Sequence, residues 1–382
     1  MSTPDEKLLI SAVGDIAFRG KKLNQPSPDI FGSIREYLSH SSVVIGNLEG
    51  PLCVDGMPVP NKCTLSGNPD WSHELARTGF NVVSLANNHI MDLGEEALFN
   101  TMETLESAGI QYVGAGADII QARKAVIIEN GNTSIGILAR SAVIVSSRCY
   151  AQGHNAGVAF FDIQDTINDI KAIRNNVDIV LLTIHWGLEN YIYPSPSQRK
   201  DAEILLRNGV DILIGHHPHV VQGIELSGPK MIAYSLGNFL FAEFDWPFQN
   251  RDGITTTQNY RLSEENKHGL LLNIEVSTDK TITYTPVHTY INEDNHIVVH
   301  PKQDIACHKI RTYKPVFNIW YKLSWFIYSA RKEWQLRLSQ DMSFGSILRN
   351  IHRIRFHHLG RILRSIKNSV RIIFERSTNP YD

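Results

Sequence analysis

At 382 residues, 42% hydrophobic and 20% charged, the chain has the make-up of a globular protein with an ample core, in one large domain or two. Its net charge of −2 is unevenly spread. Residues 305–382 hold 15 Lys+Arg and 4 Asp+Glu, a net of +11; residues 1–304 then hold 37 − 15 = 22 basic and 39 − 4 = 35 acidic residues, a net of −13. No segment reaches the ~18 apolar residues of a membrane-spanning helix. The four cysteines (Cys53, Cys63, Cys149, Cys307) lack CxxC spacing, so free thiols are expected in place of a disulfide framework. The start, MSTPDEKLLISAVGDI, is acidic where a secretory leader would be basic, so a cytoplasmic location is expected.

In chain order, apolar runs at 8–13, 42–46, 81–86, 110–113, 178–184, 211–214 and 231–235 read as strands. Helical patterns lie between them near 29–39, 70–78, 94–108, 163–175 and 197–208, the alternation of βαβ units. AVIIEN, Gly131-Asn132 and SIGILA read as a hairpin over 124–140. Residues 242–267 are polar and aromatic with weak periodicity, and a loop near the site is expected there. Residues 269–299 alternate again as β-structure without intervening helices. Parallel and antiparallel strands together predict two sheets packed face to face, with helices outside. Beyond residue 304, apolar positions recur at helical spacing over 316–327 and 359–373, the second set interleaved with Arg361, Arg364, Lys367 and Arg371. A domain over 1–304 and a basic, amphipathic helical extension over 305–382 follow.

Five polar motifs each end an apolar strand: Gly14-Asp15, Asn47-Leu48-Glu49, Asn87-Asn88-His89, His185-Trp186-Gly187, and Gly215-His216-His217-Pro218-His219. In open α/β sheets ligands bind beyond the carboxyl ends of the strands, so parallel strands bring all five to one edge. Alone, Gly-Asp is a common turn pair, and Glu49 resembles many solvated carboxylates. Three histidines within four residues are more telling, because charged imidazoles repel and neutral ones ligate metals. Five such accidents at five strand ends are far less probable than one polynuclear metal site.

The texts VGDIAF, NLEGPL, ANNHIMDLG, IHWGLENYIYPSPSQRKDAEILLRNGVDILIGHHPHVVQGIE and YSLGNFLF resemble the capsule-synthesis CapA (poly-γ-glutamate) family of the calcineurin-like metallophosphatase superfamily. The likeness covers roughly residues 8–241 and is most specific over 184–241. It implies a four-layer α/β/β/α metallophosphatase-like sandwich. It also implies that Asp15, Glu49, Asn88, His185, His217 and His219 ligate metal and that His89 is catalytic. One departure stands out: superfamily phosphatases carry a histidine two residues after the first Asp, and this chain has Ala17. A position built from Asp15, Glu49 and His219 is then short of a ligand, while Glu49, Asn88, His185 and His217 complete another.

Imidazole with oxygen ligands and no thiolate suits one or two divalent transition metals, Mn, Fe or Zn. With two metals, a bridging water is acidified into a nucleophile, and His89, oriented by Asp92, protonates the leaving group. Trp186, Glu189, Tyr191 and Gln198 beyond His185, and Asn238 after the strand 231–235, are candidate substrate contacts. The expected function is a metal-dependent, phosphoesterase-type hydrolase acting on an anionic substrate or polymer and linked to capsule or exopolymer synthesis. The alternative is a non-catalytic accessory subunit that binds polymer or a synthase. The basic tail suits an anionic membrane surface or a dock on the acidic N-terminal region; no recognised nucleic-acid motif is present. Unlike typical family members, the chain shows no N-terminal anchor, which leaves the tail as the candidate for peripheral membrane attachment.

Overall fold

In the strand Leu8–Ile16 of the computed structural model, Leu8, Ile10 and Ala12 face one core, while Val13 and Ile16 face another. A register shift between Ala12 and Asp15 accounts for that change of phase. The structure describes residues 7–59, 62–143, 149–249, 255–300 and 319–341.

The two-sided pattern recurs and yields two stacked sheets. The first runs Ile297–Val299, Ile282–Ile291, His268–Val276, Leu8–Ile16, Val43–Leu48, Val82–Ser84, Gln111–Val113, with Asn238–Leu240 added beside Leu8–Ile16. Its last four strands are parallel, and its first three join antiparallel. The second runs Ile224–Ser227, Lys230–Ala233, Ile212–His216, Ile179–His185, Thr133–Ser141, Val126–Asn130, with a parallel centre and antiparallel edges. Ile10, Ile45, Val82 and Leu272 meet Ile137, Leu181, Ile214 and Met231 between the sheets. Trp71, Leu75, Leu98 and Leu105 on helices Trp71–Thr78 and Glu95–Ser107 cover the outer face of the first sheet. Ile167, Ile170, Ala202 and Leu205 on helices Ile163–Arg174 and Pro196–Arg207 cover the second. This is the expected α/β/β/α sandwich.

Two regions differ from expectation. Residues 29–39 are not one helix but a 3₁₀ turn, Pro28–Phe31, and a single helical turn, Arg35–Leu38, because Gly32 and Ser33 break the run. Ile30, Phe31, Ile34 and Leu38 nevertheless bury the apolar face. Residues 242–267 are not a loop: Phe244–Gln249 pairs with Thr255–Tyr260, and Glu264–Lys267 forms a capped turn of helix. Phe244, Trp246 and Phe248 alternate with exposed Asp245 and Pro247, whereas Thr255, Thr256 and Thr257 suit a strand but are exposed and carry no apolar alternation.

The tail helix spans Ile319–Asp341; the second apolar set, 359–373, and the boundary at 304 lie outside the described residues. Trp325 is buried, and Tyr328 packs edge-on against Tyr191 and Tyr193. Tyr321 Oη donates to Pro194 O at 2.6 Å, and the Arg199 guanidinium lies 4.4 Å from the Tyr321 ring centre. The helix therefore docks on the main body, and mainly through aromatic contacts. Among the described residues no helix is long and apolar enough to cross a membrane. Cys53, Cys63 and Cys149 are free.

Candidate metal centre

All five motifs lie at carboxyl ends of parallel strands, three from the first sheet and two from the second. Asp15 pairs in register with Asn47, and Asn47 with Ser84; His216 pairs with His185. The sheets are then joined by polar side chains. The His217 backbone N–H donates to Asp15 Oδ2 at 3.1 Å, Asn88 Oδ1 lies 2.8 Å from His185 Nε2, and Asn47 Nδ2 lies 3.3 Å from His185 Nδ1. Asp15, Glu49, Asn88, His185, His217 and His219 are all buried together at this edge.

Gly14 is required by close approach: a Cβ there would lie 1.9 Å from Gly237 O, the acceptor of the Asp15 N–H at 2.9 Å. Gly14→Ala is expected to destabilise the fold by about 1–3 kcal/mol and to displace Asp15. Thermal melting and metal content of the variant check this; a wild-type profile contradicts it.

Glu49 is the centre of the arrangement. Neither of its buried carboxylate oxygens has a hydrogen-bond partner. Oε1 faces three imidazole Nε2 atoms, of His219 at 3.7 Å, His185 at 3.8 Å and His89 at 3.9 Å. A buried carboxylate without donors is costly, and ligands each ~2.0–2.2 Å from one ion stand about 3–4 Å apart. Two donor triads can each hold an ion, Asp15–Glu49–His185 and Glu49–His217–His219, and Glu49 belongs to both. Glu49 is likewise shared by the two expected sets, Asp15–Glu49–His219 and Glu49–Asn88–His185–His217, and His219 lies near both Asp15 and Glu49. His219 turns Nε2 toward Glu49, while Nδ1 stands 2.9 Å from Asn238 Oδ1 and 3.3 Å from Asp15 Oδ2. His217 and His219 hold positive φ, 93° and 56°, a strained backbone typical of functional sites.

Electrostatics prepare these groups unequally. Burial pushes the Glu49 carboxyl well above its ordinary value, with His219 opposing. Burial acts the same way on Asp15, but hydrogen bonds from His216 and His219 outweigh it and hold that carboxyl well below. Burial lowers His185 far below its usual value and His217 to about 4, leaving neutral imidazoles ready to ligate. Burial also opposes charge on His219, yet Glu49 and Asp15 drive it up to about 10. The protons on Glu49 and His219 must leave when a cation binds. Uptake should therefore release protons, and apparent affinity should rise with pH up to about 10, where the His219 imidazolium gives up its proton. Calorimetry in buffers of different ionisation enthalpy measures it; a pH-independent affinity contradicts it.

His89 sits at the rim, its side chain 13% exposed, with Nδ1 2.7 Å from Asp92 Oδ2. Asp92 also accepts from Leu65 N at 2.7 Å and pairs with Lys62, which reaches Asn88 O as well. Burial raises the Asp92 carboxyl, but His89 and Lys62 outweigh it and keep the pKa low. Burial lowers His89, against the pull of Asp92.

Several expected substrate contacts point elsewhere. Trp186 is buried against Tyr234 and Phe161 in the outer core, with Nε1 donating to Tyr234 O at 3.1 Å. Successive strand residues face opposite sides, so a His185 turned to the site turns Trp186 away. Gln198 completes the capping box of its own helix with Ser195, and Tyr191 joins the aromatic dock of the tail helix. Asn238 does reach the site, but as the partner that orients His219. Glu189 is exposed, and its carboxylate interacts electrostatically with His217, His219 and His89. The Ala17 position is filled by an apolar cluster with Leu65, Phe241 and Phe244. A cleft of about 1110 Å³ adjoins that cluster at Phe244, and none of the metal-site donors lines it.

Sequence reasoning missed four supporting residues. Asn47 donates to Asp15 Oδ1 at 2.8 Å, and Asn87 Oδ1 accepts from the N–H groups of His89 and Ile90 at 3.0 and 2.9 Å. Asn266 donates to His219 O at 2.9 Å, and Lys62 anchors Asp92. Asn47 and Asn87 stood inside quoted motifs and were legible there; Lys62 and Asn266 arrive from distant segments that carry no local signal.

Paired sheets with carboxylates and imidazoles gathered at one edge define an α/β/β/α sandwich with a candidate metal centre. The chain belongs to the bacterial capsule synthesis protein family PGA_cap, whose model matches residues 9–243. It is 30% identical over 249 residues to the capsule biosynthesis protein CapA of Bacillus anthracis, covering 62% of this chain and 60% of that protein. It is 32% identical over 244 residues to the PGA biosynthesis protein CapA of Bacillus subtilis (strain 168), covering 62% and 64%. The chain thus spans less than two thirds of the length of these relatives. Among solved structures, the NAD nucleotidase of Haemophilus influenzae aligns over 88% of this chain and 61% of its own, at 14% identity and a TM-score of 0.43.

Proposed function

We propose that this protein is a metal-dependent hydrolase of the phosphoesterase type, acting on an anionic substrate in capsule or poly-γ-glutamate synthesis. The observation that carries the proposal is the buried, donor-free carboxylate of Glu49 facing three imidazole nitrogens at 3.7–3.9 Å. Asp15, Glu49, Asn88, His185, His217 and His219 would hold one or two divalent ions; their mixed oxygen and imidazole character suits Mn, Fe or Zn. When bound, such ions supply Lewis acidity and neutralise charge on an anionic ester.

The chain's own groups supply proton handling. Asp92, fixed by Lys62 and the Leu65 N–H, accepts from His89 Nδ1 and so holds the ring with Nε2 toward Glu49. Nε2 is then the atom that gives a proton to the leaving group, while the 13% exposure of the side chain keeps it within reach of substrate. Because burial lowers the His89 pKa, its acid form is scarce but strong near neutrality.

The test is hydrolysis of an aryl phosphomonoester and an aryl phosphodiester with added Mn²⁺, by wild type and His217→Ala. Turnover that disappears in the variant supports the proposal. Tight binding of an anionic polymer with no turnover of either ester would establish the accessory role instead.

A further inference from the structure

A second group of histidines lies outside the centre just described. His268, Leu270, Leu272, Ile274 and Val276 alternate onto one face of their strand, and all but the first pack in the core between the sheets. At the end of that face the leucine pattern gives way to imidazole. His268 pairs across the sheet with Tyr290, Leu270 pairs with His288, and the His300 N–H donates to His288 O at 2.8 Å. The three rings consequently meet, with centroids 4.9 Å apart for His268–His288, 4.8 Å for His288–His300 and 5.7 Å for His268–His300. His288 is buried, while His268 and His300 are half-buried and give access from solvent. All three fall beyond residue 243, where the match to the family model ends.

We propose that His268, His288 and His300 form a second metal site, selective for a late first-row divalent ion such as nickel, copper or zinc. His268 Nδ1 and His288 Nε2 stand 2.9 Å apart. Two nitrogens each ~2.0–2.1 Å from one ion, at angles between a right angle and the tetrahedral value, stand about 2.9–3.4 Å apart. The 2.9 Å of this pair falls in that range, so an ion lying off the N···N line could take the place of the shared proton once the rings tilt toward it. His300, beside the edge strand Ile297–Val299 and stacked on His288 at 28°, is not within ligand distance of a shared ion as it stands and would turn its ring to become the third ligand. Tyr290, whose hydroxyl donates to Glu264 Oε2 at 3.3 Å, packs on His268 and braces the ring from the other side.

The ligand set gives the selectivity. The centre around Glu49 mixes carboxylate, amide and imidazole donors and suits manganese as well as zinc, whereas three imidazoles bind Mn²⁺ weakly and Ni²⁺ or Cu²⁺ strongly. The inference does not depend on the hydrolase proposal, because it concerns different residues and is read without an activity.

The experiment is equilibrium dialysis of the full chain against Ni²⁺ and, separately, Mn²⁺. The expected result is one more equivalent of Ni²⁺ than of Mn²⁺ in wild type, with that extra equivalent lost in His268→Gln/His300→Gln. Equal uptake of the two ions by wild type overturns the proposal, and so does an extra Ni²⁺ that persists in the double variant. Far-ultraviolet circular dichroism and a thermal melt establish that the double variant is folded; should it not fold, the single His300→Gln variant replaces it. A Cu²⁺-loaded sample adds an independent reading, since electron paramagnetic resonance shows imidazole nitrogen couplings at this site that the variant lacks.

Discussion

Replacing His89 by alanine is expected to leave metal content unchanged and to lower turnover by at least ~10²-fold. The two outcomes separate because His89 Nε2 approaches Glu49 only at 3.9 Å, while its other nitrogen is committed to Asp92 at 2.7 Å. Among the described residues, neither triad that could hold an ion contains it. The loss should grow smaller with an ester whose leaving group is already acidic, because such a group needs little protonation. Asp92→Asn should give a partial loss of the same kind, since an amide orients the ring less well and leaves Lys62 without its partner. Metal analysis alongside turnover of good and poor leaving groups checks the prediction. Unchanged turnover in His89→Ala removes that residue from the mechanism, and lost metal makes it a ligand.

Glu49→Gln is expected to have the larger effect on metal, lowering affinity by more than ~10-fold and abolishing turnover. Glu49 is common to both triads; as an amide it takes the one carboxylate from Glu49–His217–His219 and one of the two from Asp15–Glu49–His185. The stability of the ion-free protein should move the other way. Burial already drives this carboxyl upward, so its charge is a burden on the folded state without a cation. Sign and pH window follow: the folded pKa lies above the unfolded one, so the group favours folding below its unfolded value and ceases to do so as pH rises through the folded one. In the presence of chelator, Glu49→Gln should consequently melt at or above wild type at neutral pH and above. A variant that keeps its metal, or that melts far lower than wild type under chelator, contradicts this account.

Much of this architecture was legible in the sequence. The runs ending at Asp15, Asn47, His185 and His216 showed where strands stop, because alternation of side chains across a strand is a local property. A carboxylate or imidazole after a single buried run is an ordinary turn or surface group, as Asp15 and Glu49 would be alone; five such runs together pointed to one shared site. Other errors had equally plain causes. The parity that brings His185 to the site sends Trp186 into the outer core, and the helix cap that Ser195 needs consumes Gln198. The exposed ribbon of Thr255–Tyr260 carries no burial pattern to read.

By itself, then, the sequence determined the two-sheet sandwich and the strand ends that carry the polar motifs, since each follows from local periodicity and residue type. The tertiary structure alone decided which nitrogen of His219 faces Glu49, that Glu49 stands at the centre of the buried donors, and that Lys62 and Asn266 support them. It also decided that the tail helix docks on Tyr191, Tyr193 and Arg199. Those matters depend on contacts between segments tens to hundreds of residues apart, where the geometry is set by how two sheets and their helices pack, and no local pattern records it.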